Sequence, residues 1–101
     1  MSDAYVIHPP DEMIHEWSLV GDLRVLFPST DGIYNGGTGE GNHTIQDEVT
    51  FRLTMEQRVG IEFDSEYSGF YAYSQSEDKL KLVASVIDRM VLEEWSKTPE
   101  V

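Results

Sequence analysis

Two stretches of this chain carry residues whose types and spacing could do chemistry. The first is IYNGGTGEGNHT, Ile33 to Thr44, which sets Gly36, Gly37, Gly39 and Gly41 ahead of His43. Closely spaced glycines let backbone amides approach a phosphate. A phosphate loop of the G-x-x-x-x-G-K-[ST] kind, however, needs a lysine and a helix directly after it. There is no lysine here, Glu40 would repel an anion, and the residues that follow alternate as a strand does. The triplet Asn42-His43-Thr44 fits a glycosylation sequon, which means little in a chain read as unexported. The stretch is therefore expected to be a Gly-rich mobile loop over 31–46, with Asn35, Glu40 and His43 as candidate secondary contacts for a partner.

The second stretch is GIEFDSEYSGFYAY, Gly60 to Tyr73. Ile61 and Phe63 face one way along a strand, so Glu62, Asp64 and Glu66 share the other face. Tyr67, Tyr71 and Tyr73 follow, and the last two lie two residues apart on one face. Carboxylates beside tyrosines suit arginine and lysine, through charge-assisted hydrogen bonds and contacts with the ring. Glu62, Asp64, Glu66, Tyr67, Tyr71 and Tyr73 are thus the candidate partner-binding residues. The competing reading buries Tyr71 and Tyr73 under the helix and leaves the acids as a solvated face. Arg52, read as outward-facing on the preceding strand, is a candidate to neutralise Glu62.

Other chemistry finds little support. His8, His15 and His43 do not fall at zinc-ligand spacing, and His15-Glu16 lacks a second histidine four residues on. Serines are present without a G-x-S-x-G elbow. Paired carboxylates carry no weight in a chain with nineteen acidic residues. The expectation is no enzyme, no metal and no cofactor.

Charge bounds the partner. Seven basic residues face nineteen acidic ones, for a formal net charge of -12. Such a field repels nucleic acids and anionic membranes and attracts basic proteins. No apolar run approaches the roughly 20 residues that span a bilayer. The first residues have neither the basic nor the apolar region of a signal peptide. With cysteine absent as well, a cytoplasmic protein is expected.

The elements that must position these residues are legible to different degrees. At 101 residues with 11% aromatics, the chain is expected to form one domain with one modest core, not a disordered segment. Residues 1–12 read as an extended lead-in stiffened by Pro9 and Pro10. Residues 11–20 suit helix or strand, although Trp17 to Phe27 reads as a hairpin turning at Gly21-Asp22. Val49 to Met55 alternates cleanly and predicts another strand. Ser76, followed by Glu77 and Asp78, marks the start of an amphipathic helix over 76–96, with Leu80, Val83, Ile87 and Met90 on one stripe. The predicted fold is α+β: an antiparallel sheet of about five strands with the C-terminal helix packed on one face.

The function expected from these residues is that of a small acidic inhibitor, monomer or homodimer, that blocks the cationic cleft of a basic protein. A nuclease toxin opposed by an immunity or antitoxin-type protein is one such pairing. A nucleic-acid mimic of the phage anti-defence type, seated in a nucleic-acid-binding protein, is the alternative. A small ligand-binding domain or enzyme built on the glycine stretch and the histidines is the third.

Overall fold

A computed structural model describes residues 4–27 and 41–93. Alternating strands build its sheet. β1 (Tyr5–His8), β2 (Trp17–Gly21), β3 (Ile61–Phe63) and β4 (Phe70–Ser74) pair antiparallel throughout, in the order β1-β2-β4-β3. Leu19 of β2 and Phe70 and Ala72 of β4 point to one face and are fully enclosed. Across that face lies α3 (Glu77–Leu92), which buries Leu80, Val83, Ala84, Ile87 and Met90 against β4 and β2. Enclosing a large aliphatic side chain is worth about 1.5–3 kcal/mol, so this one layer of contacts dominates folding. The chain is thus α+β, a four-stranded antiparallel sheet with its C-terminal helix contacting the strands.

The start of α3 follows the sequence signal. Ser76 takes the N-cap position and Glu77 and Asp78 occupy the first turn. The cap is made without the serine hydroxyl. The Ser76 N–H instead donates to the Ser74 Oγ at 3.1 Å, which ties the helix start to β4. At the β1 edge of the sheet, the Tyr5 hydroxyl donates to Asp88 of α3 at 3.2 Å.

Three sequence expectations are corrected. There is no hairpin at Gly21-Asp22, because β2 already has β1 on one side and β4 on the other. Gly21 is there for closeness: a β-carbon on it would fall 2.1 Å from the Ala4 carbonyl oxygen. Asp22 then accepts from the Arg24 N–H and caps a single 3-10 turn, Leu23–Leu26, which drops Leu23 into the core.

The alternating segment after the glycines is helical. α1 (Asn42–Arg52) buries Asn42, Ile45 and Val49 at helical spacing and packs beside α3. The period of two rested on counting Phe51 and Met55 as inward, yet they are 82% and 77% exposed. After α1, Thr54 opens the one-turn helix α2 (Met55–Arg58) with a reciprocal cap. Its hydroxyl accepts from the Gln57 N–H at 3.0 Å, and the Gln57 side chain accepts from the Thr54 N–H at 2.8 Å. Among the described residues the sheet has four strands, and 42–46 of the expected loop belong to α1. Residues 28–40, with Asn35 and Glu40, lie outside the described residues.

Residues 11–16 are neither helix nor strand. The Asp11 Oδ1 accepts from the N–H groups of Met13 and Ile14, both at 2.8 Å, and the Asp11 N–H donates to the Ile14 carbonyl. This closed turn carries the chain from β1 back to β2.

Candidate partner-binding face

The register of the sheet assembles the face opposite α3. His8 lies beside Ser18, Ser18 beside Tyr73, and Tyr73 beside Glu62, one residue from each strand in a row. In the next row Val6 lies beside Val20 and Val20 beside Tyr71. The Asp64 N–H donates to the Tyr71 carbonyl at 3.0 Å, which continues that row past the end of β3. Directly paired residues point to the same side of a sheet. Glu62, Tyr71 and Tyr73 therefore share the outer face, away from Leu19, Ala72 and the helix. The two tyrosines are half-buried there and are not core residues. Tyr71 leans back over Gly69, where a β-carbon would fall 2.6 Å from the Tyr71 hydroxyl oxygen.

The face is acidic, and its described strands and the 9–16 segment leading into β2 supply no lysine or arginine. Arg52, expected to neutralise Glu62, sits on α1 and bonds Glu48 and Glu93 at 2.7 Å each. A strand placement put it opposite Glu62; the helix turns it toward α3. The Tyr73 phenol is raised above its usual range, first by burial and then by the charges of Asp64, Tyr71, Glu62 and Glu16. Glu16, missed in the sequence reading, is thus a third carboxylate beside Tyr73. Its signal was present: positions 16, 18 and 20 alternate with Trp17 and Leu19.

Other candidates are placed elsewhere. Tyr67 belongs to a junction at the start of α1. Its carbonyl accepts from both the backbone N–H and the Nδ2 of Asn42, at 3.0 and 2.9 Å. The Arg24 guanidinium lies 4.7 Å from the centre of its ring, and His43 is a ring neighbour at 6.4 Å. Glu66 is exposed in the turn between β3 and β4, where its N–H donates to the Gly69 carbonyl.

The glycine stretch is followed directly by α1, so that argument against a phosphate loop falls. The missing lysine and Glu40 still stand against it. In addition, the N–H groups of Asn42, Thr44 and Ile45 are already taken by the Tyr67 and Gly41 carbonyls. Asn42 is fully buried with its Nδ2 donating twice, which closes the sequon to modification in the folded chain.

The three histidines do not converge. His8 is on β1, the His15 Nε2–H donates to the Glu12 carbonyl at 3.0 Å, and His43 is on α1. Among the described residues, no group of three or more His, Asp or Glu is placed to hold a metal ion, and no helix is long and apolar enough to cross a membrane. Comparison with protein families, curated proteins and solved structures finds no significant match.

Proposed function

We propose that the protein is a small acidic inhibitor that covers the cationic cleft of a basic protein partner with its outer sheet face. The observation that carries this reading is the set of three carboxylates, Glu16, Glu62 and Asp64, around Tyr73 on a face whose four described strands contain no lysine or arginine. Desolvated carboxylate–arginine contacts at a tyrosine-rich patch are the kind that dominate an interface. Their crowding at one tyrosine favours a local plug over a nucleic-acid mimic, which needs carboxylates spread along a surface at phosphate-like intervals. A nuclease-type toxin is a partner of the right charge, with this chain as its immunity or antitoxin-type counterpart. Action in the cytoplasm, without catalysis, belongs to the same proposal, and the chain's lack of cysteine accords with it.

The test begins with a partner captured from the source cells on the immobilised protein. Reversing Glu62 and Asp64 to lysine is expected to cost well over about tenfold in affinity with the fold intact by circular dichroism. Reversing Glu77 and Asp78, on the helix, is expected to cost much less. Equal losses in calorimetry would mean that charge acts only as a diffuse field. No loss from the strand variant would place the interface elsewhere.

A further inference from the structure

A hollow over β1 and β2, on the same outer face, is not explained by the acidic cluster. Its volume is about 350 Å3, and Pro9, Pro10, Ile14 and Val20 wall it. Its polar groups are His8, Asp11 and Ser18. Glu16, Glu62, Asp64 and Tyr73 line a neighbouring depression in which Ser18 has no part.

Ser18 is the most buried of these polar groups. The residue is 4% exposed, and its hydroxyl makes no hydrogen bond with any described residue. Every sealed side-chain polar atom among those residues has a partner, so the Ser18 Oγ opens outward, into the hollow. Strand pairing sets His8 directly beside Ser18 on the same side of the sheet. Asp11, exposed at the rim, accepts at its Oδ1 from the N–H groups of Ile14 and Met13. Those bonds hold its carboxyl below the usual range. Its Oδ2 is left open among the described residues.

A nearly buried hydroxyl is ordinarily hydrogen-bonded, because leaving it bare costs the hydration it gave up. An occupant of this hollow must therefore bring donors to the Ser18 Oγ and to the Asp11 carboxylate, which can only accept. It must also lay an apolar stem along the prolines. An apolar residue would meet the walls and leave both polar groups unmet.

We propose that the hollow is a binding site for a primary ammonium on an unbranched apolar stem, and that its occupant is a lysine side chain of the basic partner. The inference rests on the reading of this face as the interface and adds a contact that the acidic cluster does not contain. The stem packs on Pro9, Pro10, Ile14 and Val20. The ammonium donates to the Ser18 Oγ, the Asp11 Oδ2 and the neutral His8 ring. Lysine fits better than arginine. The acceptors come from β2, the turn and β1, and a compact head with freely rotating donors can meet all of them. A planar guanidinium seeks both oxygens of a carboxylate, and Asp11 has one already taken.

The test is an amide-shift titration of the intact protein at pH about 7.5, above the ordinary titration of histidine. The probes are capped lysine, capped norleucine and capped Nε-acetyl-lysine. Capped lysine is expected to shift His8, Ser18 and Val20 and to bind about threefold or more tighter than either neutral probe. Ser18→Ala alters no residue of the acidic depression and should weaken capped lysine by a similar factor at an unchanged unfolding midpoint. Asp11→Asn keeps the Oδ1 acceptor that closes the turn and should weaken it too. Equal binding of capped lysine and capped norleucine would overturn the ammonium site. So would lysine shifts spread over the acidic surface and unchanged in Ser18→Ala, and either result would leave the acidic interface standing. With the captured partner, Ser18→Ala should also lower affinity, and no loss there would overturn the partner's lysine as occupant. A loss from Ser18→Ala with none from reversing Glu62 and Asp64 would sustain the lysine site and overturn the acidic cluster as the contact.

Discussion

Two regions of this molecule are built from the same residue types and end in opposite states. At the junction before α1, Asp22 meets Arg24 and Asn42, Arg24 covers Tyr67, and Asn42 joins Asp22, Leu23 and Tyr67. On the outer sheet face, Asp64 and Glu62 flank Tyr73, and among the described residues neither carboxylate is in an ion pair. The pairing at the junction holds the Asp22 carboxyl far below the usual range, chiefly through Arg24, and then through Asn42. On the face the carboxylates instead push a neighbouring phenol upward. The first region spends its charges on holding the chain together. The second leaves Glu62 and Asp64 outside any ion pair among the described residues.

The sharpest way to break this comparison is at Asn42. Replacing it with alanine removes three side-chain hydrogen bonds and leaves the Leu23 N–H without its acceptor in the interior. The expected loss is about 3–4 kcal/mol in urea unfolding. A loss below about 1 kcal/mol would mean that the junction is no better knit than the face.

High pH gives the next largest effect. Burial, and then Asp88, push the Tyr5 phenol from its usual 10.0 up to about 12. The folded chain thus favours the neutral phenol. The corresponding stability is complete below about pH 10 and is lost as pH rises toward 12, in all about 2–3 kcal/mol. In Tyr5→Phe that part of the alkaline loss should vanish, as measured by denaturation at stepped pH.

Gly69→Ala probes how Tyr71 is seated. The new methyl group must displace the tip of the Tyr71 ring, which is free to swing, so the stability cost is expected to be about 1 kcal/mol or less. Partner affinity should fall more than stability does. The reverse result would make Tyr71 a structural residue.

The smallest expected change in stability comes from neutralising the face. Glu62→Gln with Asp64→Asn should alter unfolding by no more than about 0.5 kcal/mol, since these carboxylates hold nothing internal. The same double variant should lower the Tyr73 titration toward its ordinary range, followed by NMR of labelled tyrosine. A large destabilisation would erase the distinction between the two regions.

How much of this was legible in the sequence depended on whether neighbours alone decide. The stripe Leu80, Val83, Ile87, Met90 and the alternation of Glu62 with Ile61 and Phe63 are local patterns, and both hold in the structure. The segment from Val49 to Met55 is also a local pattern, and it misled. Phe51 and Met55 look like inward strand positions but are surface residues of helices, and the Thr54–Gln57 cap was the better signal. Glu16 and Ser18 could join the site only once β2 was known to lie between β1 and β4, which is a long-range fact. The partnership of Asn42 with Leu23 and Tyr67 leaves no periodic trace at all.

The central strand pair has a consequence in time as well as in space. Trp17 to Gly21 must find Phe70 to Ser74 across most of the chain before Ser18, Tyr73 and Glu62 stand in one row. Closing so long a loop costs entropy early and is repaid late, so this pairing belongs to the slow end of assembly. A nascent or partly unfolded chain therefore carries these residues without the row. Any partner that recognises the row selects the finished molecule, and by mass action protects it from unfolding.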